Sequence, residues 1–169
     1  GVNEIVFSGG ETTESSILVD ALTLSKKLGF EPKIITNGVN MSDINYVKKI
    51  KKSGLRHLHI SIHSHIEKDS DFLTNRKGHF KKTMKGISNC IKEEIAVDIN
   101  TTLNSVNINY LSKFINYLIT KFPEIKHFVF NNLDIGEADT AIKSRAWSNK
   151  WVIAKLAGLE LELSETVHL

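Results

Sequence analysis

Two short segments combine glycine with polar side chains that could hold a charged ligand. Ser8–Glu11 and Thr36–Gly38 each follow directly after an apolar run. Glycine lets the backbone turn sharply and approach a ligand closely. A carboxylate beside a helix N-terminus can accept hydrogen bonds from an ammonium group. Each segment taken alone is also compatible with an ordinary turn, which is the simpler interpretation of Asn37-Gly38.

A histidine-rich segment alternates polar and apolar residues. His57, His59, Ser61, His63 and His65 occupy its odd positions, and leucine or isoleucine fills most positions between them. In a strand, a period of two directs these polar side chains to the face opposite the apolar ones. We therefore expect the polar set to form hydrogen bonds on the inner face of a sheet.

The same histidines leave a metal site open as an alternative. Some barrel hydrolases bind zinc through a His-x-His pair at a strand end, and such sites need further ligands from other strands. The candidates are the pairs His57 with His59 and His63 with His65, together with the carboxylates of Asp98 and Asp134. Hydrogen bonding is the preferred interpretation, and no metal ligand is assigned in this chain.

Asparagine and threonine follow two later apolar runs. Thr101, Thr102 and Asn107 come after one run, and Asn131–Gly136 comes after the next. Their side chains can recognise hydroxyl and amide groups of a ligand, or they can serve as turn and cap residues. Both interpretations remain open for these positions.

The hydrophobic pattern alternates between the periods of strands and helices. Strands are predicted at 4–8, 33–36, 57–63, 95–103, 127–131 and 160–167, and helices at 14–29, 42–53, 79–94, 107–121 and 139–157. Repeated β-α units predict a parallel sheet with helices outside, as a single α/β domain over residues 1–169. The sheet is either a doubly wound open sheet or a partial barrel. Both place a binding site at the carboxyl ends of the strands.

The composition is that of one ordinary globular domain. The chain has 169 residues, 41% of them hydrophobic and 24% charged. A net charge of +3 is too small to indicate nucleic acid. No run has the length of a membrane span, and we predict no secretory signal. The single cysteine, Cys90, excludes an internal disulfide and predicts a buried, inert thiol in a reducing cytoplasm. No P-loop, nucleophile elbow or dinucleotide motif occurs.

Taken together, the strand ends resemble the radical S-adenosylmethionine superfamily, whose core is a partial (β/α)6 barrel. The segment 7–12 is similar to the family's Gly-Gly-Glu-Pro motif, with Thr12 in place of proline. Thr36–Gly38 resembles the Thr-Asn-Gly that ends the family's third strand, and 60–64 resembles the end of its fourth. The resemblance covers residues 3–140, as the family's strands two to six, and 140–169 would form a closing helix and strand.

The resemblance implies roles for individual residues. Gly9, Gly10 and Glu11 would bind the amino group of S-adenosylmethionine, with Glu11 as the hydrogen-bond acceptor. Ser61 and His63 would lie near the ribose or the reacting centre, and Thr36 and Asn37 would line the lumen of the barrel. Thr101 and Asn107 are weaker candidates. No catalytic residue is assigned. The implied activity is reductive cleavage of the cofactor to a 5′-deoxyadenosyl radical, which abstracts hydrogen from an unknown substrate, with a peptide as one candidate.

The family's chemistry also requires a [4Fe–4S] cluster held by a Cys-x-x-x-Cys-x-x-Cys loop, which this sequence lacks. We interpret the chain as a fragment of a longer enzyme whose first βα unit lies upstream. The alternatives are a cluster-free barrel that acts as a binding module, and a metal-dependent hydrolase. An open barrel edge further predicts a dimer.

Overall fold

The computed structural model describes residues 1–132, which form one five-stranded parallel sheet with helices packed on it. The strands are β1 (Glu4–Phe7), β2 (Glu31–Thr36), β3 (His57–Ser61), β4 (Ala96–Leu103) and β5 (Phe128–Asn132). The helices are α1 (Leu18–Lys27), α2 (Ile44–Lys52), α3 (Glu67–Thr74), α4 (His79–Lys92) and α5 (Leu111–Lys121). The helix predicted at 139–157 and the strand predicted at 160–167 lie outside the described residues.

The strand order distinguishes the two predicted architectures. The order is β1-β2-β3-β4-β5, and every neighbouring pair is parallel. A doubly wound sheet reverses its strand order at a switch point, whereas a barrel adds each new strand on the same side. Residues 1–132 therefore form a partial (β/α) barrel, and the doubly wound alternative is wrong for them.

The two faces of the sheet differ in burial, as the alternation of polar and apolar residues in β3 predicts. Leu58 and Ile60 are fully buried and belong to the hydrophobic core, which includes Ile50 of α2 and Ile87 of α4. The other three residues of β3, which are His57, His59 and Ser61, are only partly buried. We call the face that carries these odd-numbered residues the inner face. The core thus lies between the sheet and the helices, and the inner face is left for polar side chains.

Several element boundaries differ from the prediction, and one helix was missed. The helix predicted at 14–29 begins only at Leu18, because Thr12–Glu14 forms a separate 3-10 turn. Strand β2 begins at Glu31, two residues before the predicted start. Helix α3 was not predicted because its sequence is mostly polar, and its Phe72 is exposed instead of forming a buried stripe.

Helix α4 packs directly on the loop that follows β2. A Cβ atom at Gly86 would collide with the carbonyl oxygen of Gly38 and would lie 2.9 Å from Cβ of Met41. Gly38 itself adopts a φ of +77°, a conformation that favours glycine. These two glycines fix the close approach of α4 to one of the predicted ligand-binding segments.

Strand β1, helix α1 and the two residues that flank this helix carry exposed apolar side chains. Val6 is 49% exposed, and Ile17, Leu24 and Leu28 are each more than half exposed. Among the described strands, β1 pairs only with β2. A dimer formed through this edge stays a prediction. Over residues 1–132, none of the helices has both the length and the apolar character needed to cross a membrane.

Candidate functional site

The carboxylate of Glu11 joins the loop after β1 to the loop after β2. Its Oε1 accepts hydrogen bonds from the Thr13 amide at 3.0 Å, the Thr13 hydroxyl at 2.6 Å and the Thr36 hydroxyl at 2.6 Å. Its Oε2 accepts a bond of 2.7 Å from the Asn37 amide. The predicted acceptor is therefore present at the strand ends, but it uses most of its capacity within the protein. Only Oε2 retains a free acceptor position for a ligand.

Gly9 and Gly10 present backbone without side chains beside this carboxylate. Gly9 has a φ of +149°, which side-chain-bearing residues rarely adopt, whereas Gly10 has no such constraint. A Cβ atom at either position would meet no other atom within 4 Å. Within residues 1–132, no hydrogen bond uses the carbonyl oxygen of Gly9 or Gly10. This open stretch of backbone therefore keeps two acceptors available for a ligand donor group.

Thr36 and Asn37 mainly form hydrogen bonds that stabilise the loops after β1 and β2. Thr36 is 2% exposed, and its hydroxyl also accepts a bond of 3.1 Å from the Gly38 amide. The Asn37 side chain accepts a bond of 2.9 Å from the Val39 amide, which closes a local turn. The Asn37 carbonyl accepts a bond from the hydroxyl of Thr83 in α4. Both residues therefore position the site, and Asn37 is the more exposed of the two.

His63 follows β3 and is joined to the carboxyl end of β4. Its Nδ1 accepts a hydrogen bond of 3.2 Å from the Thr102 amide. The neutral ring therefore carries its proton on Nε2, which forms no hydrogen bond with any residue of the described part of the chain. Ser61 lies two residues earlier on the same face and pairs with Asn100. The structure thus presents His63 as a hydrogen-bond donor at the strand ends.

Asn107 and Thr101 hold the two loops in place. Asn107 is 1% exposed, and its amide donates to the carbonyl oxygens of His63 at 3.0 Å and Thr102 at 2.9 Å. Its oxygen accepts a bond from the Asn104 amide. Thr101 is fully buried and donates to the Ile62 carbonyl at 2.7 Å. These contacts favour the structural interpretation of both weaker candidates.

His79 belongs to the same region but was not singled out from the sequence. It is buried at the start of α4, with Nδ1 3.3 Å from the Thr83 hydroxyl. Burial lowers the pKa of His79, while the negative charges of Asp71 and Glu11 act against that decrease. Because His79 also acts on the pKa of His63, the two rings share one electrostatic environment with Glu11. The only sequence signal was its position at the start of a helix after β3.

Burial also lowers the pKa of His63 to about 4, and the charge of His79 acts in the same direction. An unfolded histidine titrates at 6.5, so the unfolded chain binds more protons between pH 6.5 and pH 4. The stabilisation from neutral His63 is complete above pH 6.5 and is lost as the pH falls towards 4. At about 1.4 kcal/mol per pKa unit, the loss amounts to roughly 3 kcal/mol.

We therefore expect His63→Gln to remove part of the acid sensitivity of the protein. Glutamine can still accept the Thr102 amide but does not titrate. Urea unfolding of both proteins at pH 4.5 and pH 7 should show the smaller loss of stability in the variant. Ser88→Ala, a change at an exposed position that removes no titrating group, serves as the control, because burial lowers the pKa of His65 as well. An unchanged pH dependence in His63→Gln would contradict the assignment.

Cys90 is fully buried in α4, as the sequence predicted. Burial raises the pKa of its thiol to about 12, so the reactive thiolate does not form near neutral pH. The prediction that this thiol is buried is confirmed, and its raised pKa agrees with the expected lack of reactivity.

The other histidines of the histidine-rich segment lie apart from this site. His57 and His59 are at the amino end of β3, close to Asp98 of β4. His65 lies beyond the carboxyl end and contacts the rings of Tyr110 and Tyr117. The structure brings the first pair together with a carboxylate and separates His63 from His65.

Comparison with known proteins identifies the family of this barrel. The family model of the radical SAM superfamily matches residues 1–118. The chain therefore belongs to the radical SAM superfamily, as the strand-end motifs indicated.

Two relatives illustrate the range of this similarity. Over 122 residues the chain is 31% identical to Fe-coproporphyrin III synthase of Methanosarcina barkeri, covering 72% of this chain and 30% of that protein. It is 28% identical over 176 residues to GTP 3′,8-cyclase of Clostridium botulinum, covering 100% of this chain and 54% of that protein. The chain thus spans at most about half the length of these two relatives.

A solved structure supports the fold. The crystal structure of Streptococcus suis SuiB bound to S-adenosylmethionine matches with a TM-score of 0.74 at 16% identity. The match covers 96% of this chain and 36% of SuiB. At this level of identity, the likeness confirms the partial barrel.

Proposed function

We propose that the carboxyl ends of the strands bind S-adenosylmethionine and that this chain forms part of a radical SAM enzyme. The observation that carries the proposal is the open backbone of Gly9 and Gly10 beside Glu11 in a chain of this family. When bound to a reduced [4Fe–4S] cluster, S-adenosylmethionine supplies a 5′-deoxyadenosyl radical for hydrogen abstraction.

The methionine part of the cofactor carries an ammonium group with three donors. Two carbonyl oxygens at Gly9 and Gly10 and the free position on Glu11 Oε2 provide a matching number of acceptors. Hydrogen bonds from a charged donor are stronger than those between neutral groups. We assign Glu11 a second task, which is to hold the two loops so that the glycine backbone stays in place.

The inner face supplies donors on the other side of the site. His63 presents Nε2–H because its Nδ1 is engaged with Thr102, and its low pKa keeps the ring neutral at physiological pH. Ser61 lies on the same face. We assign both residues to the hydroxyl groups of the ribose, which accept hydrogen bonds from such donors.

The residues present do not fit an iron–sulfur cluster. Such a cluster requires several thiolates, and Cys90 is the single cysteine of the 169 residues and is buried in α4. Its ligands would have to come from outside this sequence. A cluster-free binding module therefore remains the alternative function. The compartment that we propose is a reducing cytoplasm.

The fold alone does not identify the substrate. The two curated relatives described above are named for a porphyrin and for GTP. The peptide substrate that the strand-end motifs suggested stays a prediction. We propose only that the substrate approaches the same carboxyl ends, where parallel barrels place their reactive groups.

Cofactor binding can be tested at Gly10 without disturbing the fold. A Cβ atom there meets nothing within 4 Å, so Gly10→Ala should leave the melting temperature unchanged. A bound methionine moiety would instead meet the new methyl group, and we expect affinity for S-adenosylmethionine to fall roughly tenfold, about 1.4 kcal/mol. NMR titration of the full chain, with ligand added to millimolar concentration, measures the effect.

Two controls make this experiment decisive. Ser88→Ala changes an exposed position of α4 and should bind like the wild type. Methylthioadenosine lacks the ammonium and carboxylate groups, so it should bind more weakly than S-adenosylmethionine and should be less sensitive to Gly10→Ala. Equal binding of the cofactor by wild type and Gly10→Ala would overturn the proposed site.

A further inference from the structure

Three imidazole rings surround one buried carboxylate at the amino end of the sheet. His57 Nε2 lies 2.7 Å from Oδ2 of Asp98, and His59 Nδ1 lies 3.9 Å from the same oxygen. His127, the residue before β5, places Nδ1 3.3 Å from the other oxygen, Oδ1. The residues come from three separate stretches of the chain, so the arrangement is produced by the fold.

The register of the strands explains why these side chains meet. His57 and His59 are two residues apart on β3, so both project from its inner face. The residue paired with His59 on β4 is Asp98, which therefore projects from the same face. Donor atoms of these three side chains all lie within 4.8 Å of one another.

The donor set and its spacing suit a zinc ion. Zinc accepts imidazole nitrogen and carboxylate oxygen at about 2.0–2.2 Å in tetrahedral geometry, which places the donors roughly 3.4 Å apart. Small side-chain rotations would widen the His57–Asp98 distance of 2.7 Å and shorten the His59–Asp98 distance of 3.9 Å to that value. The side chains are largely shielded, with exposed fractions of 25% for His57, 21% for His59 and 11% for Asp98. His127 is 75% exposed and can move to complete the set.

An ion pair between His57 and Asp98 is the simplest alternative. It accounts for the 2.7 Å contact with Oδ2, and a second hydrogen bond from His127 satisfies Oδ1. It gives no reason for the His59 ring, which stacks on the His57 ring with centroids 5.4 Å apart. No hydrogen bond among residues 1–132 engages the His59 ring, so its nitrogens remain available as ligands.

We propose that His57, His59 and Asp98 bind one zinc ion, with His127 as a fourth ligand. The ion would connect β3, β4 and the start of β5 at the end opposite Ser61 and His63. His59, the zinc ligand nearest to the cofactor residues along the chain, is two residues from Ser61, which is roughly 7 Å at about 3.3 Å per residue in a strand. The two proposed sites share no residue, so metal titration and cofactor titration test them separately.

Metal binding by the full chain tests this directly. We would strip the purified protein with a chelator, titrate it with Co²⁺ while recording visible absorption, and displace the cobalt with Zn²⁺. We expect one ion per chain, a tetrahedral cobalt spectrum and a higher melting temperature with zinc. His59→Gln should weaken binding by at least roughly tenfold, because it removes a ligand without touching the His57–Asp98 pair.

The matched control is His65→Gln, which removes a histidine from the same segment outside the cluster and should bind zinc normally. Asp98→Asn is a second variant, which keeps an oxygen acceptor but loses the ligand charge. Circular dichroism confirms the fold of each variant, and histidine NMR of the wild type provides a readout that needs no substitution. Zinc should shift His57 and His59 but not His65. Binding unaffected by His59→Gln, or no stoichiometric binding, would overturn the proposal.

Discussion

Glu11→Gln is expected to lower the free energy of unfolding by about 2–3 kcal/mol. The carboxylate accepts four hydrogen bonds from two loops, and a glutamine retains only one acceptor oxygen. Its NH₂ group would face a backbone amide or hydroxyl that needs an acceptor. Hydrogen bonds to charged groups contribute about 1.5–3 kcal/mol each, and an unsatisfied donor adds to the loss. Urea denaturation at pH 7 measures the difference.

The control is Glu14→Gln, a neighbouring exposed residue whose carboxylate takes no part in these bonds. Its stability should stay within about 0.5 kcal/mol of the wild type. If Glu11 served only as a ligand contact on a solvated turn, Glu11→Gln would bind the cofactor poorly yet unfold like the wild type. That result would contradict the structural role assigned to the carboxylate.

Gly86→Ala is expected to destabilise the protein by about 1–3 kcal/mol. In an exposed helix the same change stabilises by about 1 kcal/mol, since alanine is the better helix former. Here the new methyl group would collide with the Gly38 carbonyl and press on Met41. Overpacking of this kind forces α4 away from the loop after β2. Thermal unfolding followed by circular dichroism gives the sign of the effect.

Ser88→Ala, at an exposed position two residues further along α4, separates packing from helix propensity. It should raise stability slightly or leave it unchanged. A stabilising Gly86→Ala would show that α4 does not lie against Gly38. The contact matters for the site because the same loop carries Asn37, whose amide binds Glu11.

Hydrophobic periodicity was sufficient to predict the five strands and four of the five helices within residues 1–132. These elements bury a regular apolar pattern, as Leu58 and Ile60 do in β3. Helix α3 has no such pattern, so its polar sequence gave no signal. The start of α1 was misplaced because the Glu11 carboxylate accepts a bond from the Thr13 amide and caps a 3-10 turn. Such a local hydrogen bond leaves no trace in periodicity.

The candidate site residues could be selected from the sequence because they lie next to strand ends, which the sequence locates well. The hydrogen-bond partners of these residues were not predictable, because the partners depend on the register between strands. The pairing of His59 with Asp98 and the bond from Thr102 to His63 both join residues 39 positions apart. The sequence therefore proposed Glu11 as a ligand contact without revealing that its own chain already engages it.

The bonds around Glu11 also bear on the entropy of ligand association. Fixing the backbone of one residue costs about 1–2 kcal/mol, and a mobile loop incurs that cost only when its ligand binds. In this barrel the amides of Thr13, Asn37 and Val39 are bound by side chains of the same two loops. The two loops therefore lose this conformational entropy when the protein folds. A ligand that binds at the glycine backbone then contacts a surface that is already ordered.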